Sequence, residues 1–103
     1  MNGRLEQLKK MYAADGADTF VTYALAMELD KAGDTAAAIE WLDKTLAIDP
    51  DYAYCYYQKG RLLIAAGRTD DARAVLREGE KAALRVGDQK ATSELRQLLQ
   101  TIG

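Results

Sequence analysis

The sequence predicts an all-α protein of about six helices arranged in antiparallel pairs, and three observations lead to that prediction. Apolar residues make up 49% of the chain, with alanine a large share of them, and proline occurs once. This composition suits closely packed helices. Apolar side chains also recur with the period of an α-helix along most of the chain. Finally, a glycine-containing turn recurs after 34 residues.

The recurrence defines an internal repeat, because residues 31–42 align with residues 65–76. A glycine at the end of a helix can take the left-handed conformation that closes it, and a following Thr or Asp can cap the next helix. A small residue early in that next helix lets two antiparallel helices approach closely. The matched pairs are Gly33 and Gly67, Thr35 and Thr69, Ala38 and Ala72, and Leu42 and Leu76.

Apolar spacing marks the six helices in turn, and turn residues separate them. The first helix ends near Asp15-Gly16, and Gly87-Asp88 separates the last two helices. Pro50 separates the third helix from the fourth, because it disfavours helix at Asp49 and can itself open the next helix. The apolar positions in chain order are Leu5, Leu8, Met11 and Tyr12; Val21, Leu25 and Leu29; Ile39, Leu42 and Leu46; Tyr52, Tyr56 and Leu63; Val75, Leu76 and Ala83; and Leu95, Leu98, Leu99 and Ile102.

The chain of 103 residues is interpreted as one domain with one core. Its parts are an N-terminal helix over 4–15, a first repeat over 19–52, a second over 53–86 and a capping helix over 88–102. Each repeat of such an array buries its apolar face against its neighbours, so the terminal helices are expected to complete the stack. These apparent caps favour a complete protein over a piece of a longer array.

Charge and cysteine content limit the classes of partner and compartment. The net charge of −2 disfavours a nucleic-acid binder, which must neutralise many phosphates. The charged N-terminus lacks the apolar run of a signal peptide or membrane span, so no membrane partner is predicted. Cys55 is the only cysteine and cannot form an intrachain disulfide, which indicates a reducing compartment and a cytoplasmic location.

The charges are unevenly distributed along the chain. Residues 15–51 carry nine acidic and two basic residues, a net charge of −7, whereas residues 59–85 carry seven basic and four acidic residues, a net charge of +3. Opposite charges of this kind allow one copy to meet another head to tail. A homo-oligomer is therefore the alternative to binding a different partner.

Catalytic and metal-binding constellations are not visible in the sequence. The chain has no histidine, so a Cys55 thiolate would lack its usual base. Asp70 and Asp71 are adjacent and point to different helix faces, so they suit a helix N-terminus better than a metal. The sequence predicts no enzyme activity, no metal and no cofactor.

Residues 19–86 resemble two copies of the tetratricopeptide repeat, a 34-residue pair of antiparallel helices. Counted from Thr19 and Ala53, the family's small, small and large apolar residues at positions 8, 20 and 24 are Ala26, Ala38 and Leu42, then Gly60, Ala72 and Leu76. Position 32 is Pro50 and then Leu84, so the second pair is expected to run on. The aromatic position 4 is Thr22 and then Tyr56, the apolar position 7 becomes Lys59 in the second repeat, and the small position 27 becomes Thr45 and then Gly79.

The resemblance implies a concave groove lined by the first helix of each repeat, and a role in binding a peptide or protein. The implied lining is rich in aromatic residues. Tyr23 and Met27 stand where family members that grip the C-terminal carboxylate of heat-shock chaperones need Lys and Asn, which argues against that ligand. The partner-binding residues predicted in this way are Phe20, Tyr23, Met27, Tyr54, Tyr57, Gln58 and Arg61.

Several of these residues have a second interpretation. Helical periodicity assigns Tyr52 and Tyr56 to packing, whereas Tyr54 and Tyr57 are equally suited to contacting a ligand or to covering the surface. Arg61 either pairs with an acidic group of a bound peptide or is simply solvated. Trp41 either packs at the edge of the core, the favoured interpretation, or belongs to a second contact patch.

Overall fold

The computed structural model describes residues 3–103, and in that part of the chain all regular structure is α-helical. The helices pack as antiparallel pairs, as the sequence predicts. The helices are α1 (Gly3–Ala14), α2 (Thr19–Lys31), α3 (Thr35–Ile48), α4 (Ala53–Ala65), α5 (Thr69–Val86) and α6 (Gln89–Gln100).

The chain divides into two compact units, one that ends at Asp49 and one that begins at Pro50. In unit 1, α2 packs against both α1 and α3 around buried Leu8, Val21 and Leu25. In unit 2, α4, α5 and α6 pack against one another around buried Leu76 and Leu95. Each unit therefore has a core of its own.

The turn inside each predicted repeat has the same backbone structure. Gly33 and Gly67 have φ angles of +84° and +77°, which a side chain would strain. The backbone amide just after each glycine bonds to the carbonyl five residues earlier, from Asp34 to Leu29 and from Arg68 to Leu63, at 2.9 Å in both cases. The glycine match in the sequence therefore corresponds to one repeated helix-ending motif.

The caps and ends of the helices differ between the repeats and correct two predictions. The Asp34 carboxylate caps α3 by accepting from the Ala37 amide at 3.1 Å, but the N-cap of α5 has no side-chain bond, so Thr69 caps nothing. Pro50 ends α3 as predicted but does not open α4, which begins at Ala53 with Tyr52 at its N-cap. Without a proline at its end, α5 continues to Val86, which confirms the predicted continuation.

Small residues sit where the paired helices come closest. Ala26 and Ala38 are fully buried in unit 1, and Ala72 is fully buried in unit 2. A Cβ atom added to Gly60 of α4 would overlap the side chain of Leu76 on α5. The predicted role of the small positions in helix approach is therefore confirmed.

Positions 4 and 27 of each repeat face each other, and the two units fill this contact differently. In unit 1, the fully buried Thr22 and Thr45 hydroxyls lie 2.7 Å apart, and the Thr45 hydroxyl also lies 2.8 Å from the Trp41 carbonyl oxygen. In unit 2, a Cβ atom on Gly79 would overlap Cβ of Tyr56 and lie 3.0 Å from Leu95. Two hydrogen-bonded threonines in unit 1 therefore occupy the same positions as a tyrosine packed against a glycine in unit 2.

Trp41 and Tyr56 both take the packing role that the sequence favours. The Trp41 ring meets the Tyr12 ring edge to face, with centroids 4.6 Å apart, next to the core of unit 1. Tyr56 packs on the core of unit 2, and its hydroxyl donates to the Pro50 carbonyl oxygen at 2.7 Å. Burial raises the pKa of the Tyr56 hydroxyl above its ordinary value of 10.0, although the charge of Arg85 lowers it in part.

Candidate protein-interaction surface

A cleft of about 490 Å³ lies between α4 and α6 in unit 2. The predicted residues Tyr54, Tyr57 and Gln58 line it from α4 because they lie within about one turn of each other on one side of that helix. The opposite wall belongs to α6 and consists of Glu94, Gln97, Leu98 and Thr101.

The two tyrosines of the cleft are firmly placed. Their ring centroids lie 6.5 Å apart with the planes at 66°, an edge-to-face arrangement. Both rings are half-buried and pack against the core of unit 2 while they line the cleft. They therefore offer contact area to a ligand at little cost in side-chain entropy.

Arg61 is joined to the cleft through Gln58. Its Nε donates to Oε1 of Gln58 at 2.9 Å, from one helical turn further along α4. Arg61 is half-buried and does not itself line the cleft. The structure thus brings four of the seven predicted residues together, namely Tyr54, Tyr57, Gln58 and Arg61.

The other three predicted residues lie on α2 in unit 1. Phe20 is 64% exposed, whereas Tyr23 and Met27 are half-buried. Their spacing of three and four residues places them along one stripe of the helix. The Phe20 amide donates to the Asp18 carboxylate at 2.9 Å, and this cap fixes the first turn of α2 from which the ring projects.

Sequence reasoning missed the wall of the cleft that α6 provides. Because α5 continues to Val86, α6 begins at Gln89, 36 residues after α4 begins at Ala53. With that offset, Glu94 and Gln97 correspond to Gln58 and Arg61, which the family pattern places in its groove. The signal in the sequence was Leu84 at the position usually held by proline. A longer α5 shifts α6 away from the 34-residue register.

A second hollow, of about 620 Å³, lies between the end of α5 and the outer side of α6. Ala83 and Leu84 form its apolar part, and Leu84 is 57% exposed. The lining from α6 is polar and includes Ser93, Arg96 and Gln100. The surface of α6 that lines this hollow is therefore polar.

Residues 3–103 show neither a group of acidic or cysteine side chains placed to hold a metal ion nor a helix that is long and apolar enough to cross a membrane. Cys55 is buried and is not part of a disulfide. Asp70 and Asp71 lie in the first turn of α5, where they pair with Arg73 at 2.9 Å and with Arg68 at 2.7 Å.

These features define a helical-repeat interaction protein, and the chain belongs to the tetratricopeptide repeat family. The family model for this repeat matches residues 29–91. A TPR repeat-containing protein of Pseudomonas aeruginosa is 30% identical over 91 residues, which span 88% of this chain and 87% of that protein. The tetratricopeptide repeat domain is a protein-interaction module, and proteins that contain it are generally not catalytic.

Two solved structures illustrate the similarity. A tetratricopeptide repeat domain protein of Salinibacter ruber is 35% identical, with a TM-score of 0.77 over 82% of this chain and 94% of that one. The type III secretion chaperone SycD of Yersinia enterocolitica, in complex with a peptide of the translocator YopD, has a TM-score of 0.84 at 15% identity, over 97% of this chain and 80% of that one. The second similarity concerns the fold alone.

Proposed function

We propose that this protein binds a peptide segment of a partner protein, with the cleft between α4 and α6 as the principal contact in unit 2. The observation that carries this proposal is the cleft itself, which combines two placed tyrosine rings with polar groups on both walls. Tyrosine is enriched among the residues that dominate binding energy at interfaces. The amides of Gln58 and Gln97 can donate to and accept from a peptide backbone.

The exposed stripe of α2 is proposed as a further contact surface. Phe20 is a large apolar side chain that is mostly exposed, and Tyr23 and Met27 follow it along the same helix face. A methionine adapts readily to different apolar partners, and aromatic residues and methionine are enriched at protein interfaces relative to the rest of the surface. SycD, which shares the fold, has been seen with a bound peptide, and this supports the same type of ligand here.

A random peptide library displayed on phage and selected against the full chain tests the proposal. Synthetic versions of the selected peptides are then titrated into labelled protein, and backbone amide shifts are followed. We expect the shifts to concentrate on α4 and α6 around Tyr54, Tyr57 and Gln97. Shifts confined to the exposed sides of α3 and α5 would show that the cleft is not the binding site.

Two variants and one control make the mapping quantitative. Gln97 is exposed and lines the cleft, so Gln97→Arg fills it without disturbing the core, and we expect affinity to fall by at least about tenfold. Tyr57→Ala is expected to have a similar effect, with circular dichroism to confirm folding. Arg77→Ala alters an exposed residue of α5 outside the cleft and is expected to leave affinity unchanged.

Self-association is the second proposed function, and the charge distribution favours it. Residues 15–51 have a net charge of −7 and residues 59–85 a net charge of +3, so opposite regions of two copies attract each other at low salt. The fold relative SycD has been crystallised as an alternative dimer. Sedimentation across protein and salt concentration decides the matter, because a monomer at high protein concentration and low salt would exclude self-association.

A further inference from the structure

Glu94 differs from every other acidic side chain of unit 2. Among the described residues, the remaining six acidic side chains all have a partner, whereas Glu94 has neither an ion pair nor a hydrogen bond. Five of the six form salt bridges and one caps a helix: Asp51 with Arg85, Asp70 with Arg73, Asp71 with Arg68, Glu78 with Lys81, Glu80 with Arg96, and Asp88 with the Ala91 amide.

The position of Glu94 gives this difference a meaning. Its side chain is half-buried in the wall of the cleft, opposite Tyr54 and Tyr57. It is the only charged residue in the lining, so the cleft carries a net negative charge. A partly desolvated carboxylate without a partner attracts a cation more strongly than a fully solvated one does.

Nearby basic side chains leave this carboxylate unpaired. Lys90 lies four residues before Glu94 on α6, a spacing that allows an ion pair, but among the described residues no salt bridge joins these two side chains. Arg96 pairs with Glu80 of α5 instead. Arg61 donates to Gln58 and lies outside the lining.

We propose that the cleft between α4 and α6 holds the side chain of an arginine from the bound peptide, with Glu94 as its counter-ion and the Tyr54 and Tyr57 rings as its walls. This inference rests on the proposed function and names the chemistry of the ligand. A planar guanidinium stacks on aromatic rings and pairs with a carboxylate through two parallel hydrogen bonds. The amide oxygen of Gln97 is available to accept a further N–H of the guanidinium.

The test compares peptides that differ only in the charge of one side chain. Peptides selected on the full chain are synthesised with each arginine replaced in turn by citrulline, which has nearly the same shape but no charge. We expect one replacement to weaken binding by about tenfold or more in fluorescence polarisation, the range of a charge-assisted pair. Binding that weakens less than twofold at every arginine, or selected peptides without arginine, would overturn the inference.

A matched protein variant assigns the effect to Glu94. Glu94→Gln keeps the size of the side chain and removes its charge, and we expect it to weaken the arginine peptide about as much as citrulline does. The citrulline peptide should bind Glu94→Gln and the unchanged protein equally well. If the affinity losses caused by citrulline and by Glu94→Gln instead multiply when the two changes are combined, the arginine binds elsewhere. Glu78→Gln, on the exposed side of α5, is the control and should leave both affinities unchanged.

The outcomes separate this inference from the proposed function. If the selected peptides shift the amides of α4 and α6 but are indifferent to citrulline and to Glu94→Gln, the cleft binds peptides and only the arginine assignment fails. If no selected peptide shifts those amides, the proposed function fails together with the inference.

Discussion

Units 1 and 2 make the same contact between paired helices with different chemistry. Thr22 and Thr45 share a hydrogen bond in unit 1, whereas the equivalent positions in unit 2 hold Tyr56 above Gly79. A larger side chain on one helix is matched by a smaller one on the other. In this chain, positions 4 and 27 therefore act as a pair whose combined size is limited by the close approach of the two helices.

Moving one half of the unit 2 solution into unit 1 tests this pairing most severely. Thr22 is fully buried against Thr45, so Thr22→Tyr forces a ring against the side chain of Thr45. We expect the free energy of unfolding to fall by about 3 kcal/mol. Adding Thr45→Gly should recover about half of that loss, because it recreates the arrangement of unit 2. Urea unfolding of the two single variants and the double variant measures both effects.

The pairing would be contradicted if the double variant were no more stable than the sum of the two single losses predicts. A glycine inside a helix costs about 1 kcal/mol by itself, so Thr45→Gly alone must be measured as the reference. The informative quantity is the difference between the unfolding free energy of the double variant and the value expected from adding the two single losses.

Gly79→Ala tests the same pair from unit 2, with a somewhat smaller expected effect. The new Cβ would overlap Cβ of Tyr56, which is fixed to the backbone of α4, and would press on Leu95. We expect a net loss of about 2 kcal/mol in unfolding free energy, although alanine favours a helix over glycine by about 1 kcal/mol. Thermal or urea unfolding is the measurement, and an increase in stability would contradict the close contact.

Gly60→Ala provides a graded comparison for that variant. Its new Cβ would overlap the branched end of Leu76, which can move more easily than the Cβ of Tyr56. We therefore expect a smaller loss than at Gly79, and a larger loss would mean that the side chain of Leu76 is held as rigidly as the backbone.

The threonine pair of unit 1 predicts a non-additive effect of moderate size. Thr45→Val keeps the shape of the side chain but removes one hydroxyl of the pair, and we expect a loss of about 1 kcal/mol. Thr22→Val should cost a similar amount. The double variant is expected to lose less stability than the sum of the two single losses. Each single variant leaves one buried hydroxyl without its partner hydroxyl, whereas the double variant removes both. A double-mutant cycle in urea measures this coupling, and strict additivity would show that the hydroxyls do not interact.

The helices and their turns could be predicted from the sequence because a 34-residue period repeats the residues that define them. Gly33 and Gly67 mark the same turn, and Ala38 and Ala72 mark the same close approach. The period could not reveal that Thr22 faces Thr45 or that Tyr56 faces Gly79, because helical spacing assigns a residue to a face but not to a neighbour on another helix.

The candidate site was predictable on α4 and not on α6. Tyr54, Tyr57 and Gln58 follow from the register of the second repeat, whereas Glu94 and Gln97 lie beyond the last match to the 34-residue pattern. Their position relative to α4 depends on where α5 ends. That helix runs on to Val86 because no proline interrupts it. The sequence also could not show that Glu94 lacks an ion-pair partner, because some acidic side chains of unit 2 pair with basic residues that are distant in the sequence, as Asp51 does with Arg85.

The smallest expected effect concerns the phenolic hydroxyl of Tyr56 in unit 2, an ionisable group that Thr22 at the equivalent position of unit 1 lacks. Burial raises the pKa of Tyr56 in the folded protein above 10.0, so above that pH the unfolded chain releases a proton that the folded protein retains. The corresponding contribution to stability is complete below the unfolded pKa and is lost as the pH rises through the folded pKa. In urea unfolding between neutral pH and pH values above 10.0, the unchanged protein should therefore lose more stability than Tyr56→Phe. At neutral pH that variant should lose about 0.5 kcal/mol with its hydrogen bond to Pro50. Parallel losses at alkaline pH in the two proteins would mean that the Tyr56 hydroxyl ionises as freely as one in water, and that the contact in unit 2 depends on the ring alone.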